Sequence, residues 1–427
     1  VWDILHLPVR PFLPNNTPPV RGPPYRATPA AGADAVYIGA VAVGGTLFNT
    51  MYWLFNFLRM GTGGLAAQAF GSGKGRDIVL LRSLALALGF GILLIVLGGF
   101  TGQYALGFMD ADDATARLAS RYFDILIWGA PAVLATYVAM GWLVGMQDTR
   151  STMIIAIATN VINIAVSATL VFGAGWKIEG VASGTLVAQW SGAAIAAVVI
   201  VRKFSPQLQP VVELIRVSEL KRFFRINSDM FLRTACLVAV TLWFTHSGAR
   251  AGADILAANA LLLQLFMLFS FFMDGFAYAA EAISGKYEGA GLRDMVVALE
   301  RTLMRIGLCF AIGFAILYFF AGETIMRILT DDVDVVVIGR RYLLWAVAMP
   351  LCGFMAFVYD GVLVGLTRTR VMLVAMACAM VSFFALYFCV RSSLGNDGLW
   401  LAFDVYLFVR GAVECMAMRK YADRKNQ

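Results

Sequence analysis

The sequence predicts an all-α polytopic membrane protein built as two pseudo-symmetric six-helix lobes, with the first helix of the N-lobe missing or corrupted. Three observations predict it. Of 427 residues, 60% are hydrophobic and 14% charged, and the mean hydropathy is +0.75. Soluble domains hold about 45–50% apolar residues; a globule in water cannot hide the excess, and a disordered chain would not carry it. The apolar residues also run unbroken for about 20 positions at a time, the length of a bilayer-crossing helix. Membrane β-barrels show short alternating segments instead. Finally, the chain repeats itself.

The first 34 residues stand apart, with eight of the twelve prolines between Pro8 and Pro29. Proline removes a backbone donor and clashes inside a helix, so no spanning helix fits there. No basic start followed by an apolar core marks a signal peptide either. Apolar runs follow at 36–58, 79–101, 122–146, 152–173 and 180–201, then at 228–247, 254–283, 303–321, 341–366, 371–390 and 397–418. The expected organisation is an atypical segment 1–34, an N-lobe 35–201, a basic linker 202–226, a C-lobe 227–418 and a basic tail 419–427.

Lys and Arg in alternate loops orient the chain. One set holds Lys74 and Arg76, Arg150, the linker's Arg202, Lys203 and Arg222, Arg368 and Arg370, and the tail's Arg419 and Lys420. The other is poorer in basic residues and carries Asp110, Asp112, Asp331 and Asp332. The first set, with the C-terminus, is expected in the cytoplasm. Eleven spans then leave the N-terminus outside, where Arg10, Arg21 and Arg26 do not belong.

The repeat is read from two blocks. GWLVGMQDTR (141–150) and GVLVGLTRTR (361–370) match at six of ten positions. FLRMGTGGLAAQAFGSGKG (57–75) is similar to FFMDGFAYAAEAISGKYEG (271–289), each followed by Arg-Asp, Arg76-Asp77 and Arg293-Asp294. Matched loops on the same side require halves with equal, even helix counts. The second half has six; the first has five plus the Pro-rich text. Residues 1 to about 30 therefore read as an out-of-frame translation of a normal first helix, testable in the upstream DNA. Such two-lobe bundles commonly hold a substrate cavity and work by rocking.

These blocks, with YIGAVAVGGTLFNTMYWLFNFLRMGTGGLAAQAFG (37–71), GAPAVLATYVAMGWLVGMQDTRSTM (129–153), NVINIAVSATLVFGAGWKIEGVASGTLVAQ (160–189), NSDMFLRTACL (227–237), DGFAYAAEAISG (274–285) and YDGVLVGLTRTRVM (359–372), resemble the multidrug and toxic compound extrusion (MATE) family, in its DinF-like branch. The resemblance runs from about residue 36 to 418. It implies twelve helices in two six-helix lobes and export of amphipathic, often cationic compounds in exchange for protons or sodium. It also marks departures. The family's first helix carries an acidic residue implicated in cation coupling, and that helix is replaced here. Asn163 stands where DinF-like members have Asn, but Ser167 occupies the following Asp position, and Thr185 matches a further ligand position.

Ionisable groups at mid-span cost about 2.5–3.5 kcal/mol each on insertion scales, so each needs a reason. Asp274 and Glu281 lie seven apart, about two helical turns, with Tyr278 between them. Facing a wet cavity, such a pair can bind a proton or sodium or attract a cationic compound. Asp229 and Arg233 are spaced for an intrahelical ion pair, as are Arg410 and Glu414. Asp360 opens its repeat block near a helix end and reads as solvated. Asp404 is mid-helix with no local partner at that spacing. The candidates are thus Asp274, Glu281, Asp229, Arg233, Asn163, Thr185, Tyr278, Asp360 and Asp404, with Asp274 foremost.

Two histidines, no CxxC and no Walker motif argue against a histidine metal site, a zinc ribbon and ATP as energy source; the six cysteines read as packing residues. No nucleophile, base and oxyanion arrangement suggests an enzyme. The expectation is an antiporter for an amphipathic organic cation, a monomer in the bacterial inner membrane. It has no cofactor beyond a proton or sodium as coupling ion, and no nucleic acid partner. The net charge of +7 is assigned to basic loops. Two alternatives share the architecture: a lipid-linked oligosaccharide flippase and a non-transporting remnant lacking a working first helix.

Overall fold

The computed structural model describes residues 29–107, 113–207 and 217–423. The Pro-rich residues 1–28, with the out-of-frame reading of them, and the end of the basic tail lie outside these. The described residues are helical almost throughout, with no strand. Nine helical stretches among them are long and apolar enough to cross a bilayer.

Among the described residues, the first half holds seven helices: α1 Pro29–Leu54, α2 Phe57–Ser72, α3 Arg76–Gly107, α4 Asp113–Leu126, α5 Ala130–Gly145, α6 Thr149–Ala168 and α7 Ile178–Phe204. The second holds six: α8 Val217–Ala251, α9 Ala253–Gly289, α10 Arg293–Leu329, α11 Val333–Gly365, α12 Thr369–Leu394 and α13 Asn396–Asp423.

α1 begins on Pro29, the last proline of the N-terminal run, a position where a missing N–H costs nothing. The expected run 36–58 is not one helix. It breaks at residues 55 and 56, where Phe55 and Asn56 donate three residues back, to Tyr52 and Trp53. Arg59 Nε donates to the Asn56 side chain at 3.2 Å. Apolarity alone carries no trace of such a turn. The run 122–146 is α4 and α5 joined by a short 3-10 turn, Ile127–Gly129. Most helices also outrun their apolar text: the run 303–321 lies inside the longer α10. The run 397–418 becomes α13, which Asp404, Arg410 and Glu414 keep out of the nine.

The chain divides into two compact units. The first comprises the described residues of Val1–Arg59, Leu80–Leu143 and Asp148–Pro210. Here α1 packs on α4, α4 on α7 and α6 on α7. Phe48, Tyr52, Tyr122, Phe123 and Leu126 form its core, with the Phe48 and Phe123 rings stacked at 4.8 Å. Asp148 caps α6, accepting from the Ser151 amide at 3.3 Å and hydroxyl at 2.6 Å. Lys203 Nζ lies 2.6 Å from the same carboxylate.

The second unit comprises Met60–Val79, Val144–Gln147 and the described residues of Val211–Gln427. α11 is its hub, packing on α9, α10 and α13.

The repeat is visible in the backbone. Gln147 and Thr367, 220 positions apart, both adopt left-handed conformations, φ 65° and 52°. The next amides, Asp148 and Arg368, donate to Leu143 at 2.8 Å and Leu363 at 2.9 Å. Helices resume at Thr149 and Thr369. A β-branched residue such as Thr367 is a rare occupant of this region. The second block is shifted from its textual match. Gly71 lies against the main chain of Lys286, and Gly289 against that of Gln68. This reciprocal approach pairs Gly71 with Gly289 rather than with Gly285, as the text alignment had it. The correction is four residues, about one turn, and residues one turn apart share a helix face.

Candidate functional site

The second unit gathers charges inside its helix bundle. Asp360, on α11, is 7% exposed. Arg233 Nη2 from α8 and Arg410 Nη2 from α13 both donate to its Oδ2. Its Oδ1, and the Nε atoms of both arginines, are buried without a hydrogen bond. One turn beyond Arg410, Glu414 is fully buried, and neither of its carboxylate oxygens is hydrogen-bonded. Arg233 and Arg410 both feel the charges of Glu414 and of Asp274 on α9. Tyr406 completes the surroundings of Arg233. Burying ions is tolerable only when they are paired.

This geometry corrects three expectations. Asp229 and Arg233 do not pair with each other. Asp229 accepts from Thr369 Oγ1 at 3.1 Å and Arg370 Nη1 at 3.2 Å, while Arg233 reaches across to Asp360. Arg410 donates to Asp360 rather than to Glu414. Asp360 is not a solvated helix-end residue but the acceptor at the centre of the set. Sequence spacing identifies neighbours along one helix, and here the partners come from different helices.

Asp274 and Glu281 occupy different environments. Asp274 is half-buried, Glu281 is 2% exposed, and Tyr278 between them is 37% exposed. Asp404 is 5% exposed, with neither carboxylate oxygen hydrogen-bonded. The residues that spacing missed as site members are Arg410 and Glu414. The available signal was α13 itself, an apolar helix with three ionisable residues in its interior.

In the first unit, Asn163 Nδ2 on α6 donates to Thr185 Oγ1 on α7 at 3.0 Å. Thr185 donates onward to the Val181 carbonyl at 2.9 Å. Tyr122 lies alongside, and Ser167 Oγ is buried against Gly184. The polar members here are uncharged. The described residues hold no group of three His, Cys, Asp or Glu side chains placed for a metal ion.

Away from mid-span, α13 is anchored at Tyr421. Its hydroxyl donates to Glu288 Oε2 at 2.5 Å, and the Arg368 guanidinium lies 4.2 Å from its ring centroid. Burial, then Glu288, pushes the phenol upward.

Bilayer-length helices with buried ionisable groups in their interior define a multi-pass helical membrane protein. The MatE family model matches residues 30–169 and 229–388, and the chain belongs to that family, whose members are transporters acting on small molecules. It is 34% identical to DNA damage-inducible protein F of Escherichia coli (strain K12), over 95% of this chain and 89% of that protein. It is 25% identical to a probable multidrug resistance protein NorM of Thermotoga maritima, over 72% of this chain and 69% of that one. A crystal structure of MATE in the bent conformation superposes with a TM-score of 0.80 at 18% identity, covering 93% of this chain and 90% of the other. An outward-facing MATE family transporter of the MOP superfamily gives 0.78 at 17%, covering 92% of each chain.

Proposed function

We propose that the protein is a secondary antiporter that exports amphipathic organic cations in exchange for protons or sodium, by rocking of two lobes. It acts as a monomer in the bacterial inner membrane with its C-terminus in the cytoplasm. Family membership supports efflux. The observation that carries the coupling reading is the set Arg233, Asp360, Arg410 and Glu414 buried in one helix bundle, with half-buried Asp274 acting on both arginines. Buried charges of this kind respond to a change in protonation by rearranging their pairs, and differential ion affinity of two states is what couples ion to cargo. Asp274, half-buried beside the arginines, is positioned to meet a cationic compound.

Reconstituted vesicles loaded with a fluorescent cation and given a pH or sodium gradient test this. Gradient-dependent efflux is expected, and Asp274→Asn abolishes it while the protein remains inserted. Unchanged efflux in that variant removes Asp274 from the mechanism, and no efflux by the unmodified protein favours the non-transporting reading.

A further inference from the structure

The charges inside the second unit do not balance as drawn. Arg233 and Arg410 supply two positive charges. Asp360 supplies one negative charge and already receives both guanidiniums on a single oxygen. Asp274 supplies a second, acting on both arginines. Glu414 would supply a third, leaving one net negative charge in a set of which only Asp274 is half-exposed and the other four groups are buried. Charge in such a medium is strongly disfavoured unless matched. A single proton restores neutrality.

Geometry selects where that proton sits. Asp360 receives two charged donors, which hold it ionised. Glu414 receives none: it is 0% exposed, and both its oxygens lack a hydrogen bond. Arg410 on its own helix and Arg233 on α8 act on it, as does Tyr406 on its own helix, and the groups around these are Cys236 on α8, Asp274 on α9 and Asp360 on α11. A carboxylate without donors is costly to bury, and the protonated acid is the form that such a site holds at least cost.

We propose that Glu414 is an exchangeable proton-binding site, and that this buried set takes a proton and not sodium. A proton drawn from solvent forms an O–H bond on the Glu414 carboxylate, and that bond breaks to return it. When Glu414 ionises, Arg410, one turn away, gains a second carboxylate to choose between. Loss of the proton thereby loosens the contact that ties α13 to α11 through Asp360. Sodium is disfavoured because two guanidiniums already stand where a metal would compete for the carboxylates. The inference rests on the antiport reading for its use, but proton binding itself is measurable without transport.

The test is infrared difference spectroscopy of the purified full-length protein in lipid nanodiscs, stepped from acidic to alkaline pH. The signal is the carbonyl stretch of a protonated carboxylic acid. The unmodified protein is expected to lose the Glu414 band as pH rises, separately from any band of Asp404, whose oxygens are also without donors. Glu414→Gln should lack that band at every pH, and Asp404→Asn should retain it. Retention of the full set of bands by Glu414→Gln overturns the proposal. So does loss of the band when potassium is replaced by sodium at constant pH. Glutamine mimics the neutral acid in shape; should this variant fail to fold, Glu414→Asp must shift the frequency of the band, and an unshifted band overturns the assignment. Vesicle efflux separates the two readings. The band without efflux by the unmodified protein leaves the proton site standing and removes the antiport reading; gradient-driven efflux with no Glu414 band does the reverse.

Discussion

Asn163 and Thr185 meet in the first unit through one neutral hydrogen bond. Arg233, Asp360, Arg410 and Glu414 meet in the second as charges or potential charges, fully enclosed. The neutral pair is satisfied locally: Thr185 finishes its bonding on its own helix, and removing either partner strands little. The charged set draws on α8, α11 and α13 together, and no member is satisfied by its own helix. At the position where the resemblance implies a carboxylate in α6, this chain has Ser167. Ionisable chemistry is concentrated in the second unit, and with it the energetic consequences of substitution.

That contrast is most easily broken at Asp360. Replacing it with Ala leaves two buried guanidiniums facing each other, and removing one side of a buried pair costs about 3–5 kcal/mol. Unfolding of the detergent-solubilised protein reads the loss. The triple change Arg233→Met, Asp360→Leu, Arg410→Met should recover most of it, since apolar replacement of a whole ionic set is close to neutral. If Asp360→Ala is silent, the charges are not enclosed as described.

A smaller effect is expected from the reciprocal glycines. Gly71→Ala and Gly289→Ala each push a methyl into the opposing main chain, and overpacking costs about 1–3 kcal/mol. The two should lose similar stability in the same unfolding assay. A large difference between them would mean the repeat is not structurally reciprocal there.

Asn163→Ala should cost about 0.5–1.5 kcal/mol, the worth of an ordinary hydrogen bond, and leave vesicle efflux running. A collapse of efflux on this change would restore the first unit as a site of coupling.

The finest comparison lies at the twin left-handed turns, at Gln147 and Thr367. Asp148 caps its helix and binds Lys203, whereas the matching Arg368 caps nothing and lies over Tyr421. Burial alone would raise the Asp148 carboxyl, but the Lys203 ammonium and the Ser151 donors outweigh it and hold it below the usual range. A depressed folded value means stability that is present above the unfolded value of about 3.9 and lost as pH falls through the folded one. Asp148→Asn should flatten that acid limb in unfolding measured against pH, and Arg368→Gln should leave it unchanged.

Much of the fold was legible because hydrocarbon imposes its own length on a helix. The repeat was legible in GWLVGMQDTR and GVLVGLTRTR because most of the helix residues on either side of the turn are kept, from Gly141 and Gly361 to Arg150 and Arg370, although the left-handed residues themselves, Gln147 and Thr367, differ. The break at residues 55 and 56 was not, since a turn of apolar and amide residues leaves hydropathy unchanged. The one-turn error in pairing Gly71 with Gly285 arose because helical register repeats its face every turn. The charged set was half legible: Asp229, Arg233, Asp360 and Asp404 stood out as expensive residues, but their partners are set by tertiary contact. Spacing along one helix suggested Arg410 with Glu414 and Asp229 with Arg233, and α11 took one member of each.

The three ionisable residues inside α13 bear on how the chain enters the bilayer during synthesis. At about 2.5–3.5 kcal/mol for each mid-span charge, α13 has weak reason to leave the translocon for lipid by itself. Its Arg410 finds its hydrogen-bonded counter-charge on α11, which is made earlier, so insertion of the last described helix becomes an act of docking onto helices already in place. A ribosome halted just before α13 would hold Arg233 and Asp360 ready to receive it, and an Asp360→Ala chain would release α13 late or on the wrong side.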